Sequence, residues 1–372
     1  MFRSFSGVKE EEIERYLLYL KKEIDLVCNL LKDAKKEIDF MYWGGGSPTY
    51  LNSRQISDIY KYITNKFKFS EHTEISVEID CRTIDEEKLR TLKQLGVNRL
   101  SFGIQTFDEN ILKIVNRYEE TKRRIDLIEY AKKIGFSNFN IDIIYGLPLQ
   151  TLEILDHTLD KVLDLETPHL TYYSAVIVPI LFPNQEVIKD LEYPDEGMKV
   201  QMAELIQERC KHAGYSPIAH EYFVKDESYR SWFYTSMSRT ERWLLGLGVI
   251  AGGTINNIIY GNVKTLEDYY QHIDAGNLPY RFTYKSSSDD LIRNYVINSI
   301  YVNGKIEKSE INKKFCINFD KYFAEERSEL DSLEENGLIT QNKDSICLTK
   351  KGRIFTSAFC DVFGLFSLFF SK

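Results

Sequence analysis

Between residues 38 and 213, strand-length apolar runs alternate with amphipathic helical stretches, and no other feature limits the possible folds so strongly. IDFMYW (38–43) precedes a helix over about 53–67, EISVEI (74–79) one over 84–95, and RLSFGI (99–104) helices within 107–134. NFNIDII (138–144) precedes a helix over 152–165, and HLTYYSAV (169–176) one over 195–213. Strands separated by helix-length crossovers pair in parallel, with right-handed connections. Five such units, with a sixth candidate near 216–223, predict an α/β fold built on a partial TIM-like (βα) barrel; an open doubly wound sheet is the structural alternative.

The series starts on a helix. Ile13, Tyr16, Leu17, Leu20, Ile24, Val27 and Leu31 fall at helical spacing over 10–32, and Glu10, Glu11 and Glu12 suit the positive end of its dipole. No strand-like run precedes it, although a βα unit supplies one. Beyond residue 285 the texture changes to helices near 288–301, 307–314 and 319–336. GLITQNKDSICLT and a helix containing Gly352 follow, a winged-helix-like layout. The expected division is therefore a barrel over 1–285 and a helical, winged-helix-like C-terminal domain over 286–372. Asp331, Glu334 and Glu335 with few clustered cations give that domain a packing or lid role rather than a DNA-binding one.

A formal net charge of -8 with no basic stripe excludes a nucleic-acid-wrapping surface. Charges interrupt every apolar stretch near the N-terminus, so no signal peptide or membrane span is expected, and the location is cytoplasmic by default. Cys28, Cys81, Cys210, Cys316, Cys347 and Cys360 are scattered. They form neither a disulfide framework nor a local metal-ligand set, and read as reduced, mostly buried thiols.

Parallel barrels bind ligands at the C-terminal ends of their strands. Strand 38–43 ends in GGGSPT, where successive glycines open the main chain to a ligand and leave N–H donors free. Glu78 ends the next strand, Gln105 follows the third, Asp142 lies in the fourth, and Arg117 follows Gln105 closely enough to reach the same rim. Acceptors, an amide and one cation together suit a zwitterionic amino acid carrying a ribose.

WGGGSPTYL, EISVEID, GVNRLSFGIQTFDENILKIVNR and NIDIIYGLPLQT resemble, in order and separation, the signature segments of the oxygen-independent coproporphyrinogen III oxidase branch of the radical S-adenosylmethionine (SAM) enzymes. The likeness continues through LLGLG and KYFAEERSELDSLEENGLI, so it covers almost the whole chain. It implies a radical SAM-type barrel and oxidoreductase chemistry on a tetrapyrrole, either coproporphyrinogen III or heme. By the same resemblance Gly45, Gly46 and Ser47 contact the methionine part of SAM, and Glu78, Gln105, Arg117 and Asp142 hold its polar groups. Tyr173, Val176 and Gly252 match further cofactor-lining positions. Phe233 matches a substrate-side aromatic, while Tyr234 departs from the amide found there in the oxidase.

In that family a reduced 4Fe-4S cluster, fed by a donor such as flavodoxin or ferredoxin, cleaves SAM to a 5′-deoxyadenosyl radical that abstracts a substrate hydrogen. The cluster's three cysteines stand at C-x-x-x-C-x-x-C spacing on the loop ahead of the first helix. No such run occurs among these residues, so the chain as given is expected to be inactive alone. The missing strand and missing cysteines make one segment, and Met1-Phe2 reads as an internal methionine taken as a start; natural loss of the cluster is the alternative.

His220-Glu221-Tyr222 and the run Trp232, Phe233, Tyr234 read either as the wall of a tetrapyrrole pocket or as a strand end with core aromatics. Arg230, Arg239 and Arg242 are candidate partners for its carboxylates. Heme-degrading methyltransferases of the same family, and a non-catalytic heme-binding chaperone on the same scaffold, are the competing functions.

Overall fold

The computed structural model of the chain describes residues 7–32, 37–180, 183–219, 221–231 and 243–364. Its main sheet contains β1 (Glu37–Trp43), β2 (Lys68–Ile79), β3 (Arg99–Gln105), β4 (Phe139–Tyr145), β5 (His169–Ser174), β6 (Ser216–Ala219) and β7 (Tyr222–Val224). The strand order is β1-β2-β3-β4-β5-β7-β6, and β1 to β5 are all parallel. The sheet curls into an open half-barrel with β1 and β6 at its edges. The crossovers are α2 (Ser53–Lys66), α3 (Glu86–Gln94), α4 (Glu109–Ile114) with α5 (Thr121–Lys133), and α6 (Leu152–Asp164); α7 (Glu196–His212) leads to β6. Asn52, Asp85, Asp108, Thr151 and Asp195 cap α2, α3, α4, α6 and α7, each accepting an orphan N–H of the first turn. The sixth βα unit expected near 216–223 is instead an antiparallel hairpin, with β7 also antiparallel to β5. Two residues between β6 and β7 are too few for a parallel crossover.

Side chains alternate across a strand, and here the alternation separates two chemistries. Ile75, Val77 and Ile79 of β2, Leu100, Phe102 and Ile104 of β3, Ile141 and Ile143 of β4, and Leu170 and Tyr172 of β5 form one core with the helices outside the sheet. Their intervening neighbours take the concave face, and nearly all are polar: Glu74, Ser76 and Glu78; Arg99, Ser101 and Gln105; Asn140 and Asp142; His169, Thr171 and Tyr173. A parallel sheet buried in hydrocarbon on both sides has continuous apolar strands. This one has a dry convex side and a hydrogen-bonding concave side.

The first helix, α1 (Glu10–Leu30), packs Leu17, Ile24 and Cys28 against Ile59 and Phe67 beside the β1 edge. Its opposite flank meets a structure for which the sequence pattern gave no element. There β8 (Gly252–Ile255), β9 (Ile258–Asn262) and β10 (Tyr280–Lys285) make a separate antiparallel sheet, with α8 (Leu266–Asp274) between β9 and β10. Glu23 of α1, 1% exposed, ties these parts together. It accepts from the Tyr269 hydroxyl at 2.7 Å, the Gly248 N–H at 2.7 Å and Asn262 Nδ2 at 2.9 Å.

The C-terminal region has its own apolar core. It comprises α9 (Ser288–Asn303), β11 (Lys305–Glu307), α10 (Lys308–Phe315), α11 (Phe319–Tyr322), α12 (Arg327–Glu335), β12 (Ile339–Gln341), β13 (Ser345–Leu348), α13 (Lys350–Ile354) and α14 (Thr356–Val362). Its three strands pair antiparallel in the order β11-β13-β12. The helix expected over 319–336 is broken in two. The break lets Phe319 and Phe323 both enter the core while Glu326 reaches Arg293 at 2.6 Å. Ile354 packs against the barrel core, and Lys350 meets Glu208 of α7 at 2.9 Å.

Glu23→Ala leaves three buried donors without their acceptor and is expected to cost roughly 3 kcal/mol in urea unfolding. Burial raises the Glu23 pKa against the opposing hydrogen bonds of Tyr269, Gly248 and Asn262. Its contribution is therefore complete at acid pH and lost as pH rises through the raised value. Glu23→Gln should flatten that part of the stability profile.

Candidate functional site

The loop after β1 owes its shape to its glycines. A Cβ on Gly44 would stand 2.5 Å from the Tyr42 ring and 2.6 Å from Glu78 Oε1, so only glycine lets these two side chains meet beneath the loop. Gly45 has φ +84, and added Cβ atoms on Gly45 and Gly46 would meet nothing within 4 Å. That open side is where a ligand can approach the backbone. Ser47 closes the loop by donating to Asp80 Oδ2 at 3.2 Å.

Glu78 accepts from the Tyr42 hydroxyl at 2.7 Å and from the Gly45 N–H. Burial raises its pKa; Tyr42 opposes the rise, Asp142 adds to it, and Gly45 and Arg117 oppose it. Asp80, next along the same face, receives Arg82 through Nε at 3.0 Å and Nη2 at 2.6 Å. Burial would raise Asp80, but the Arg82 bonds outweigh burial and leave its pKa below the ordinary value. Arg82 Nη1 donates to the Asn116 carbonyl at 2.9 Å, fixing the turn that carries Arg117.

Arg117 is the most informative of the expected residues. Burial lowers its pKa, Asp80 and Glu78 supply attraction, and Arg82 repels it. Among the described residues its guanidinium makes no hydrogen bond or ion pair within salt-bridge distance. A half-buried cation without a partner is costly unless a ligand anion completes it. The Gln105 amide likewise has no hydrogen-bond partner among the described residues. Gln105 has φ +67, and the Thr106 N–H bonds the Ile104 carbonyl at 2.8 Å, a tight turn in a sparsely populated conformation. That turn folds the amide back over Gly103, where a Cβ would lie 2.8 Å from Gln105 Nε2.

Asp142 sits on the same concave face and accepts from Ser101 at 2.8 Å and Asn140 at 2.7 Å. Burial raises its pKa, opposed by Ser101, Asn140, Arg99 and Thr171. Tyr173 shares a hydroxyl contact of 3.0 Å with Tyr222, whose ring stacks on His169 at 5.8 Å. Arg99 and His169 Nδ1 are 2.6 Å apart at the lower end of this face.

The structure thus brings Gly45, Ser47, Glu78, Gln105, Arg117 and Asp142 to one rim. Val176 lies beyond the end of β5, 62% exposed, and its carbonyl accepts from Gln185 at 2.9 Å. Gly252 starts β8 in the separate antiparallel sheet, close against Gly246. Arg230 pairs with Glu227 at 3.1 Å. His220, Trp232, Phe233, Tyr234, Arg239 and Arg242 lie outside the described residues. Tyr42, Asp80, Ser101, Asn140 and Thr171 were not singled out from the sequence. The polar residue at every second position of EISVEID and FNIDII was the signal for Asp80 and Asn140.

The donor set fits SAM: an open glycine loop, two carboxylates, and a guanidinium and an amide that have no hydrogen-bond partner among the described residues converge on one rim. Among the described residues no group of histidines, cysteines or carboxylates could hold a metal ion. Cys81, Cys210 and Cys360 are buried, and burial pushes each thiol up to about 12. No helix among the described residues is long and apolar enough to cross a membrane.

Residues 5–162 match the Radical SAM superfamily, and residues 287–355 match the HemN C-terminal domain. The solved structure of coproporphyrinogen III oxidase (HemN) from Escherichia coli, a radical SAM enzyme, superposes with a TM-score of 0.89 at 30% identity, covering 98% of this chain and 86% of that one. The chain belongs to the oxygen-independent coproporphyrinogen III oxidase family of radical SAM proteins. The Escherichia coli oxidase is 33% identical over 95% of this chain and 79% of its own length, and the Synechocystis oxidase 31% identical over 94% and 78%. The heme chaperone HemW of Bacillus subtilis is 28% identical over 96% and 93%.

Gly44→Ala forces Tyr42 and Glu78 apart and should destabilise the protein by about 1–3 kcal/mol. Gly46→Ala enters open space and should stay within about 0.5 kcal/mol of the parent. Urea unfolding of both variants separates a glycine required by the protein's own packing from one that faces a ligand.

Proposed function

We propose that this rim binds SAM and that the concave face beneath it receives a tetrapyrrole of the coproporphyrinogen III class in the cytoplasm. The observation that carries the reading is the Arg117 guanidinium, which lies between Glu78 and Asp80 with no partner among the described residues. The carboxylate of an amino acid supplies the charge it lacks, in the paired geometry that guanidinium favours. Glu78, polarised by Tyr42, takes the ammonium beside the open backbone of Gly45, Gly46 and Ser47. Asp142 accepts from the ribose hydroxyls and Gln105 offers an amide to the same group. Tyr173 and Val176 border the site on the β5 side, while Gly252 extends it from β8.

Bound next to a reduced four-iron cluster, SAM supplies hydrogen-atom abstraction. This chain's residues hold the cofactor's charged ends and restrict water on the concave face. The division at about residue 286 leaves the winged-helix-like unit a packing role, supported by Ile354 and the Lys350–Glu208 pair.

Heme capture without turnover is the second reading. It draws support from the extent of the likeness to HemW.

Equilibrium dialysis with radiolabelled SAM tests the proposal. The protein should bind it, Arg117→Met should weaken binding at least about thirtyfold, and Gly46→Ala should weaken it without loss of stability. Coproporphyrin III, a stable relative of the porphyrinogen, should quench tryptophan fluorescence and compete with the substrate. Tight heme uptake with no SAM binding would replace the oxidase reading with the chaperone one.

A further inference from the structure

Asp142 is held by a directional network spanning three strands. Ser101 Oγ of β3 donates to Asp142 Oδ2 at 2.8 Å, and Asn140 Nδ2 of β4 donates to Asp142 Oδ1 at 2.7 Å. The same Asn140 amide donates to Ser101 Oγ at 2.8 Å, while Thr171 Oγ1 of β5 donates to Asn140 Oδ1 at 2.9 Å. An ionised carboxylate can only accept, so the Asn140 edge facing Asp142 is its NH2 group, and its oxygen is left for Thr171. The two amide hydrogens then go to Asp142 and Ser101, and the single Ser101 hydrogen goes to Asp142. Each polar hydrogen of the trio points at Asp142 or at a group that serves it. Asn140 is 2% exposed, Thr171 0% and Ser101 7%, so water does not substitute for these bonds.

We propose that Asn140 is the positioning residue for Asp142, locking the carboxylate in one orientation with its outward lone pairs directed at the cofactor. The proposal rests on the reading of this rim as a SAM site. Thr171 sets the amide's direction, and its β-branched side chain has little rotamer freedom. Ser101 completes the second carboxylate oxygen. Other charged or titratable groups on this face act from further away: Glu78 on β2, Arg99 on β3, His169 and Tyr173 on β5, Tyr222 on β7, and Arg117 at the rim. Glu78 opposes the Asp142 charge and Arg99 favours it. Burial raises the carboxyl's pKa, and the hydrogen bonds from Ser101 and Asn140 oppose the rise. Removing the Asn140 bond should make Asp142 protonate at higher pH.

SAM affinity measured by equilibrium dialysis across the acid range tests this. In Asn140→Leu the acid limb should move up by about one pH unit and neutral-pH affinity should fall about tenfold, the loss of one charge-assisted hydrogen bond. Thr171→Val should move the limb in the same direction, and Thr171→Ser should restore the parent profile. In an Asp142→Asn background, Asn140→Leu should leave the limb where it is. An unmoved limb in folded Asn140→Leu overturns the proposal, and Thr171→Val carries the same test if that variant does not fold. If the parent protein binds no SAM, the cofactor reading fails by itself. The Asp142 carboxyl, followed by carbon-13 NMR in the ligand-free protein, then decides: an identical titration with and without Asn140 overturns the positioning role.

Discussion

The rest of the structure depends on the period-two alternation of the parallel strands. Leu100, Phe102 and Ile104 point outward into the helix-covered core, while Arg99, Ser101 and Gln105 point inward from the same seven-residue strand. Burial of the outward set supplies the hydrophobic driving force that fixes the register. A slip of one residue would drive Glu78, Asp142 and Arg99 into hydrocarbon. Packing of the apolar face therefore positions the polar one, although the two share no side chains.

Electrostatics on the concave face follows from partial burial. Glu78 and Asp142 both have raised pKa values because water is restricted around them, and each is kept available as an acceptor by fixed donors: Tyr42 and Gly45 for one, Ser101 and Asn140 for the other. Asp80 differs because Arg82 neutralises it directly. The Arg117 guanidinium lies among these groups with no hydrogen bond or ion pair to any described residue. The proposed ligand brings both signs of charge to a rim whose acceptors are satisfied from behind and whose guanidinium has no partner among the described residues.

The parts outside the parallel series follow a different logic. The buried Glu23 joins α1 to Gly248, Asn262 and Tyr269, so the edge of the half-barrel is fastened by hydrogen bonds in addition to apolar packing. Nothing in the pattern around Glu23 distinguishes it from exposed Glu10 or Glu11 on the same helix. Its partners are more than two hundred residues away, and burial of a carboxylate is a property of the assembled molecule. The antiparallel sheet over 252–285 was illegible for a related reason: its strands are short, irregular and half exposed, so their hydropathy has no clean period.

The sequence by itself determined the five parallel strands, the amphipathic helices between them, the glycine loop and the family. These depend on local periodicity and on contiguous motifs. It also placed Glu78 and Gln105 at strand ends, Asp142 within a strand and Arg117 close behind Gln105, because the ends of strands in a βα series share a rim whatever the side chains do. The tertiary structure alone decided that the sixth unit turns back as a hairpin, that 319–336 breaks into two helices, and that the Arg117 guanidinium finds no partner among the described residues while Asp142 is gripped from β3 and β4. Those outcomes depend on which distant groups share a water-poor space, and hydrogen bonding in such a space is settled by contacts between strands that local sequence does not encode.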